Sequence, residues 1–278
     1  MNSADRHTAK IWLITGVSGG IGLALAEAAL ARGDIVIGSL RQTSQSADFE
    51  AKAPGRAHAI IMDVTQSGQI REAINRAIAF YKRIDVIVNN AGVGMVGAVE
   101  ETDIDEARAI FETNFFGAFQ LTKAVLPLLR QQGSGHIVNI SSAAGISAVP
   151  GLGIYSASKF ALEGMTEALA VEVASSGITV SLVEPGAILT NFPGSSIVEV
   201  QDRIPAYSSI TGQGRADVQR YYQQQAHHPE VVAQAVLSLV DTSEPTLRLV
   251  IGDDAMAGVL AKVEHLQTIK KAAINSDF

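Results

Sequence analysis

Short apolar runs recur along the chain, separated by longer stretches whose apolar residues fall at helical spacing. Ile11-Trp12-Leu13-Ile14 reads as a first buried strand, followed by a glycine-rich turn and an Ala/Leu-rich helix from about Gly20 to Ala31. Ile35 to Gly38 and Ala57 to Ile61 read as the second and third strands. Val86 to Val88, His136 to Ile140, Ile178 to Val183 and Leu247 to Ile251 supply the fourth to seventh. Such runs are apolar at nearly every position, so both faces of each strand are buried, as in a parallel sheet covered by helices. The pattern predicts an α/β fold, a doubly wound three-layer sandwich around a central seven-stranded parallel sheet.

Two stretches interrupt that alternation. Gln42 to Gly55 is a polar connection after the second strand. Asn191 to Pro229 is longer and carries Pro193, Pro205, Tyr207, Tyr221 and Tyr222. A connection of that length in a compact domain is more often functional than idle. It follows the sixth strand, on the carboxyl edge where open α/β sheets bind ligands. No Pro-, Gly- or Ser-rich linker divides the chain, so residues 1–278 read as one domain with a flexible tail at 1–9 and a substrate loop at about 191–229.

Composition narrows the function. A net charge of −7 without a basic run argues against nucleic-acid binding. No apolar run reaches the roughly 18 residues of a membrane span, and the polar start lacks a signal-peptide core. The absence of cysteine excludes disulfides, thiolate catalysis and cysteine-held metal. A cytoplasmic protein is the expected outcome, and no metal site is expected.

The chemistry concentrates at Tyr155-Ser156-Ala157-Ser158-Lys159, with Ser142 upstream. On a helix, Tyr155 and Lys159 share a face. An ammonium beside a phenol is expected to lower its pKa and fit it for acid–base work on a carbonyl oxygen. At the other end of the chain, Thr15-Gly16-Val17-Ser18-Gly19-Gly20-Ile21-Gly22 links the first strand to the first helix. Glycines there allow close backbone approach to a pyrophosphate at the helix N-terminus. The second strand ends Gly38-Ser39-Leu40-Arg41, with a guanidinium where an NAD-binding site would carry a carboxylate. Arg41 therefore predicts NADP over NAD.

Taken in order, these residues resemble the short-chain dehydrogenase/reductase family in its common single-domain form. The resemblance runs from Lys10 to the seventh strand through Thr15-Gly-x-x-x-Gly-x-Gly22, Asp63, Asn89-Asn90-Ala91-Gly92, Asn114, Ser142, Tyr155-x-x-x-Lys159 and Pro185-Gly186 with Thr190. It implies a Rossmann-type nucleotide-binding domain with Asn114, Ser142, Tyr155 and Lys159 as catalytic residues. Tyr155 would exchange the proton, Ser142 rather than Ser141 would bind the substrate oxygen, Lys159 would hold the nicotinamide ribose, and Asn114 would support a proton relay. Cofactor contacts would come from Gly16, Ser18, Gly20, Ile21, Gly22, Arg41, Asp63, Val64, Asn90, Ala91, Gly92, Pro185, Gly186 and Thr190, besides Tyr155 and Lys159. Gly19 stands where some NADP-using members carry a basic residue, which leaves 2′-phosphate recognition to Arg41. The family also pairs copies through the helix that carries Tyr155, so a homodimer or homotetramer is compatible.

The expected activity is an NADP(H)-dependent oxidoreductase interconverting a secondary or primary alcohol and a ketone or aldehyde. Val93 to Gly97, Val149 to Ile154 and the long loop would form an apolar substrate pocket. A nucleotide-sugar epimerase or dehydratase also uses Tyr-x-x-x-Lys, but it usually needs a larger C-terminal domain. A non-catalytic NADP-binding regulator normally has a damaged tetrad, which this chain does not. Arg32-Gly33-Asp34 reads as a helix terminus rather than an adhesion motif. Asn139-Ile140-Ser141 falls on a central strand and not at a glycosylated surface. His227-His228 reads as a helix start before Pro229.

Overall fold

A computed structural model describes residues 8–189, 197–200, 204–212, 216 and 227–274. The strands are β1 Ile11–Ile14, β2 Ile35–Leu40, β3 Ala57–Ile61, β4 Val86–Asn89, β5 Gly94–Val96, β6 Gly135–Ile140, β7 Ile178–Pro185, β8 Ile197–Glu199 and β9 Arg248–Ile251. The helices are α1 Gly20–Ala31, α2 Ser46–Glu50, α3 Ser67–Tyr81, α4 Ile104–Phe111, α5 Ala118–Gln132, α6 Gly153–Val173, α7 Pro229–Asp241 and α8 Asp253–Ile274.

Seven strands form one parallel sheet in the order β3-β2-β1-β4-β6-β7-β9. Their apolar runs face both ways. Trp12, Ile14, Val36 and Val138 pack with α1 and α7 on one face, while Leu13, Ile87 and Ile137 pack with α3, α5 and α6 on the other. The chain winds outward from β1 to β3, then returns to lay β4 against β1. That reversal opens a crevice at the carboxyl ends of β1 and β4, the place where doubly wound sheets bind ligands.

The polar connection after β2 is not structureless. It holds α2, whose Phe49 is buried against the core, because one aromatic side chain suffices to dock a short helix. Strands β5 and β8 form a separate parallel pair, Gly94↔Ile197 to Val96↔Glu199, which brings the long loop back over the residues after β4. Neither feature has an apolar run long enough to announce it.

The misleading motifs resolve as structure. Asp34 is fully buried and accepts hydrogen bonds from Trp12 Nε1 and Arg32 Nε, so Arg32-Gly33-Asp34 is a folded helix-to-strand turn. Asn139 is fully buried; it donates to Thr166 and accepts from Asn89. His228 occupies the N-cap of α7 with Pro229 at the first position, where a missing N–H costs nothing.

Candidate active site

One cavity of about 1190 Å³ runs along the carboxyl edge of the sheet. Gly16, Ser18, Gly20 and Ile21 line one end, and Arg41 lies on the flank beyond β2. Asp63, Val64, Asn90, Ala91 and Gly92 form its floor; Ser142, Tyr155, Lys159, Pro185 and Gly186 line the other end. Gly22 and Asn114 are not on its surface, and Thr190 lies outside the described residues.

The glycine end is fixed by β1 and β4. Thr15 Oγ1 accepts the amides of Asn90 and Ala91, each at 2.9 Å, and Asn90 Nδ2 donates to the Thr15 and Gly16 carbonyls. A Cβ at Gly22 would lie 2.3 Å from both Asn90 Nδ2 and Gly16 O, so Gly22 serves close packing. Gly16 has φ +74°, which glycine adopts without strain. Helix α1 begins at Gly20 with no side-chain cap and no acidic residue in its first turn. Its leading amides and the positive end of its dipole are thus open to an anion. These features fit the pyrophosphate of a nicotinamide dinucleotide.

The reacting end is held by α6 and the turn after β6. Ser142 caps the turn Ala143–Gly145 by accepting the Ala144 amide at 3.2 Å, and it hydrogen-bonds the Tyr155 hydroxyl. Lys159 lies one turn along α6, its Nζ 5.9 Å from the Tyr155 ring centroid, and donates to the Ile140 carbonyl at 2.9 Å. Burial pulls the lysine down to about 8, partly offset by the charge of Glu163. The phenol departs from expectation. Burial raises the Tyr155 pKa, and the Ser142 hydrogen bond offsets only part of that rise. The expected lowering by Lys159 is overruled because desolvation dominates here.

Asn114 sits in a π-helical turn, Glu112–Gly117, between α4 and α5. Its Oδ1 accepts the Val93 amide at 2.8 Å, and its Nδ2 donates to Val93 O and Ser158 Oγ. A Cβ at Gly92 would stand 3.4 Å from Asn114 Oδ1 and 3.7 Å from Lys159 Nζ, so these two side chains flank one glycine. Asn114 therefore braces the segment after β4 against α6. Beyond Gly92 the cavity turns apolar, lined by Val93, Met95, Val149, Leu152, Ile188 and Ile210. Val96, Gly97, Gly151, Gly153 and Ile154, expected in this pocket, do not line it.

The family profile for short chain dehydrogenases matches residues 10–198. The chain belongs to the short-chain dehydrogenase/reductase family. Oxidoreductase BOA17 of Botryotinia fuckeliana is 40% identical over 257 residues, covering 91% of this chain and 93% of that protein. A 3-ketodihydrosphingosine reductase of Bacteroides thetaiotaomicron is 36% identical, covering 87% of this chain and 88% of that protein. A solved short-chain dehydrogenase from Streptomyces avermitilis superposes with a TM-score of 0.90 at 41% identity, covering 100% of both chains. ElxO, solved with NADP bound, gives 0.74 at 26% identity, covering 91% of this chain and 100% of that one.

Several lining residues of this short-chain dehydrogenase/reductase carried no recognisable signal in sequence. Asp254, Ala255 and Gly258, at the start of α8, reach the cavity from the far end of the chain. Asp254 Oδ2 accepts the Ala187 amide at 2.7 Å, and a Cβ at Gly186 would lie 2.2 Å from its Oδ1. Gln42 and Gln45, from the connection after β2, join Arg41 at the flank. Their only sequence signal was polarity in a connection of uncertain shape.

Proposed function

We propose that this chain is an NADP(H)-dependent carbonyl reductase and alcohol dehydrogenase acting on a secondary alcohol or its ketone, or on the corresponding aldehyde. The carrying observation is the hydrogen-bonded Ser142–Tyr155 pair, backed by Lys159, where the anion-accepting end of the cavity meets its apolar end. A bound nicotinamide dinucleotide supplies or accepts the hydride. Tyr155 donates a proton to the carbonyl oxygen in reduction and takes it back in oxidation. Its raised pKa keeps the phenol protonated at neutral pH, the state that reduction uses. Ser142 hydrogen-bonds the substrate oxygen and stabilises the charge that develops there. Lys159 holds the nicotinamide ribose, and Asn114 keeps the backbone beside it in place for proton passage toward solvent.

Arg41 supports the choice of NADP, being an exposed guanidinium at the flank of the cavity, free to fork onto a 2′-phosphate. The apolar lining suits a lipophilic carbonyl compound, in keeping with the name of the ketodihydrosphingosine reductase relative. Phe160 and Val171 on α6 and Phe119 on α5 are exposed apolar side chains that a second copy could cover.

A panel of ketones and aldehydes assayed with NADPH and with NADH tests the activity. Arg41→Asp is expected to lower the NADPH-to-NADH ratio of kcat/KM by about thirtyfold, the worth of a charged hydrogen bond of ~2 kcal/mol. An unchanged ratio defeats the NADP assignment. Tight nucleotide binding without turnover of any carbonyl or alcohol defeats the activity.

A further inference from the structure

Behind Lys159 lies a second cluster of ionisable groups that the proposed reaction does not use. Glu163 stands one turn along α6 from Lys159 and is 4% exposed; Glu184, within β7, is fully buried. Arg248, the first residue of β9, serves both. Its Nη1 donates to Glu163 Oε2 at 2.6 Å and also to Glu184 Oε1, while Nη2 donates to Glu167 Oε1 at 2.6 Å on the exposed rim. One guanidinium thus faces two buried carboxylates.

The remaining oxygens, Glu163 Oε1 and Glu184 Oε2, are buried without a hydrogen-bond partner. An ionised carboxylate only accepts, so two of them in contact cannot satisfy each other. A single proton turns one into a donor and removes both deficits. Like charges this close also resist joint ionisation. In agreement, burial and the charge of Glu163 push Glu184 up to about 7, although Arg248 pulls the other way. The cluster reaches the reacting end on two sides. Glu163 supports the charge of Lys159. A Cβ at Gly145 would lie 2.7 Å from the buried, unpartnered Ser141 Oγ and 3.1 Å from Glu163 Oε1, so one bare glycine separates the pair from the strand end bearing Ser142.

We propose that Glu163 and Glu184 form a proton-sharing carboxylate pair whose ionisation state sets how firmly Lys159 is held as an ammonium beside Tyr155. The proposal rests on Tyr155 and Lys159 being the reacting centre, and it makes both glutamates positioning residues. The groups facing the pair are Lys159 and Glu167 from α6, Arg248 from β9 and Ser141 from the end of β6. With one shared proton, Arg248 balances the pair and Lys159 gains little. Loss of that proton adds a buried negative charge and stabilises the ammonium. Below about 7 the lysine is an ammonium in any case; above it, where Glu184 has lost its proton, the added charge delays the fall in activity that follows as Lys159 deprotonates.

The test is the pH profile of kcat/KM for NADPH-dependent carbonyl reduction in the wild type, Glu184→Gln and Glu163→Gln. Glu184→Gln removes the charge that the pair gains near neutrality and is expected to move the alkaline limb of the profile down by about half a pH unit. Glu163→Gln removes the support of Lys159 and is expected to move the alkaline limb down by about one pH unit. Glutamines that merely weaken the fold lower activity evenly across pH and leave the alkaline limb where it is, and that result overturns the proposal. If either variant fails to fold, infrared difference spectra of the wild type across neutrality decide. A protonated carboxyl band that disappears as pH rises supports the pair, and no such band overturns it. Tyr155→Phe separates the two levels. Turnover that survives in it removes the reacting centre and the proposal together, whereas turnover lost in it, with the alkaline limb unmoved in both glutamine variants, removes the pair alone.

Discussion

At the amino ends of the strands, fully buried Asp34 accepts from Trp12 Nε1, the Lys10 amide and Arg32 Nε. Nearby, Asp85 accepts the Ile11 amide and Arg83, and His136 pairs with Ser181 Oγ at 3.0 Å. At the carboxyl ends, Ser141, Glu163 and Glu184 are as deeply buried, yet each keeps one atom without a partner. Tyr155 and Lys159 beside them are displaced from their ordinary acidities, as is His136 at the amino end. Arg32 Nη2 is an exception at the amino end, an orphan on a guanidinium whose other nitrogens are bonded. Burial is common to both ends; partnership is not. Where partners are complete, buried polar groups hold the strands in register. Where they are incomplete, the groups are left able to exchange protons.

Loss of a single group should tell most strongly at the carboxyl end. Tyr155→Phe keeps the ring that packs against Lys159 and removes the hydroxyl, with its exchangeable proton and its hydrogen bond to Ser142. NADPH affinity should hold within about twofold, while kcat falls roughly 10³-fold, or ~4 kcal/mol of transition-state stabilisation. Fluorescence titration of NADPH and steady-state turnover measure the two. Retained turnover would show that the displaced acidities at this end have no chemical use.

The amino end should respond to acid rather than to substrate. His136 is buried, and desolvation, with the charge of Lys10 adding to it, lowers it to about 4. In the unfolded chain it binds a proton near its ordinary 6.5. Its contribution is therefore whole above about pH 6.5 and is lost as pH falls through about 4, at most ~3 kcal/mol. His136→Gln removes the titration, so the gap in stability between about pH 7 and about pH 4.5 should narrow by much of that amount. Denaturant unfolding at the two pH values measures it. An equal acid loss in both proteins would mean that the buried imidazole is already compensated.

The sequence showed the two ends unequally. Seven apolar runs announced the sheet, because strands buried on both faces need apolar residues at nearly every position. Gly16 to Gly22 were legible from their place between the first strand and the first helix, and Ser142, Tyr155 and Lys159 from their mutual spacing and the family resemblance it carries. Glu163, Glu184 and Arg248 were not, since three polar residues apart along the chain meet only through the pairing of β7 with β9 and the packing of α6 against β7. The sixth apolar run stops at Val183, yet β7 continues through Glu184 to Pro185, with Glu184 opposite Val250. An acidic residue inside a parallel sheet reads as the start of a loop until its arginine is found. The π-turn at Asn114 was equally hidden, because one extra residue in a helical turn leaves the apolar spacing almost unchanged.

Asp34→Asn gives the smallest effect and the sharpest control. The substitution keeps shape and one carbonyl oxygen, but it places an amide where Trp12 Nε1, Arg32 Nε and the Lys10 amide already present donors. One buried donor is left facing another, and the charge opposing Arg32 disappears. A loss of ~2 kcal/mol is expected, the worth of a hydrogen bond to a charged group. Trp12 and Asp34 lie at the far end of the sheet from Tyr155, so kcat and the NADPH-to-NADH ratio should stay within about twofold at temperatures well below the lowered Tm. Calorimetry alongside steady-state kinetics would show both. If stability held while kcat dropped, the amino end would be coupled to the reacting centre through β1 and β4, and the division of labour between the two ends would fail.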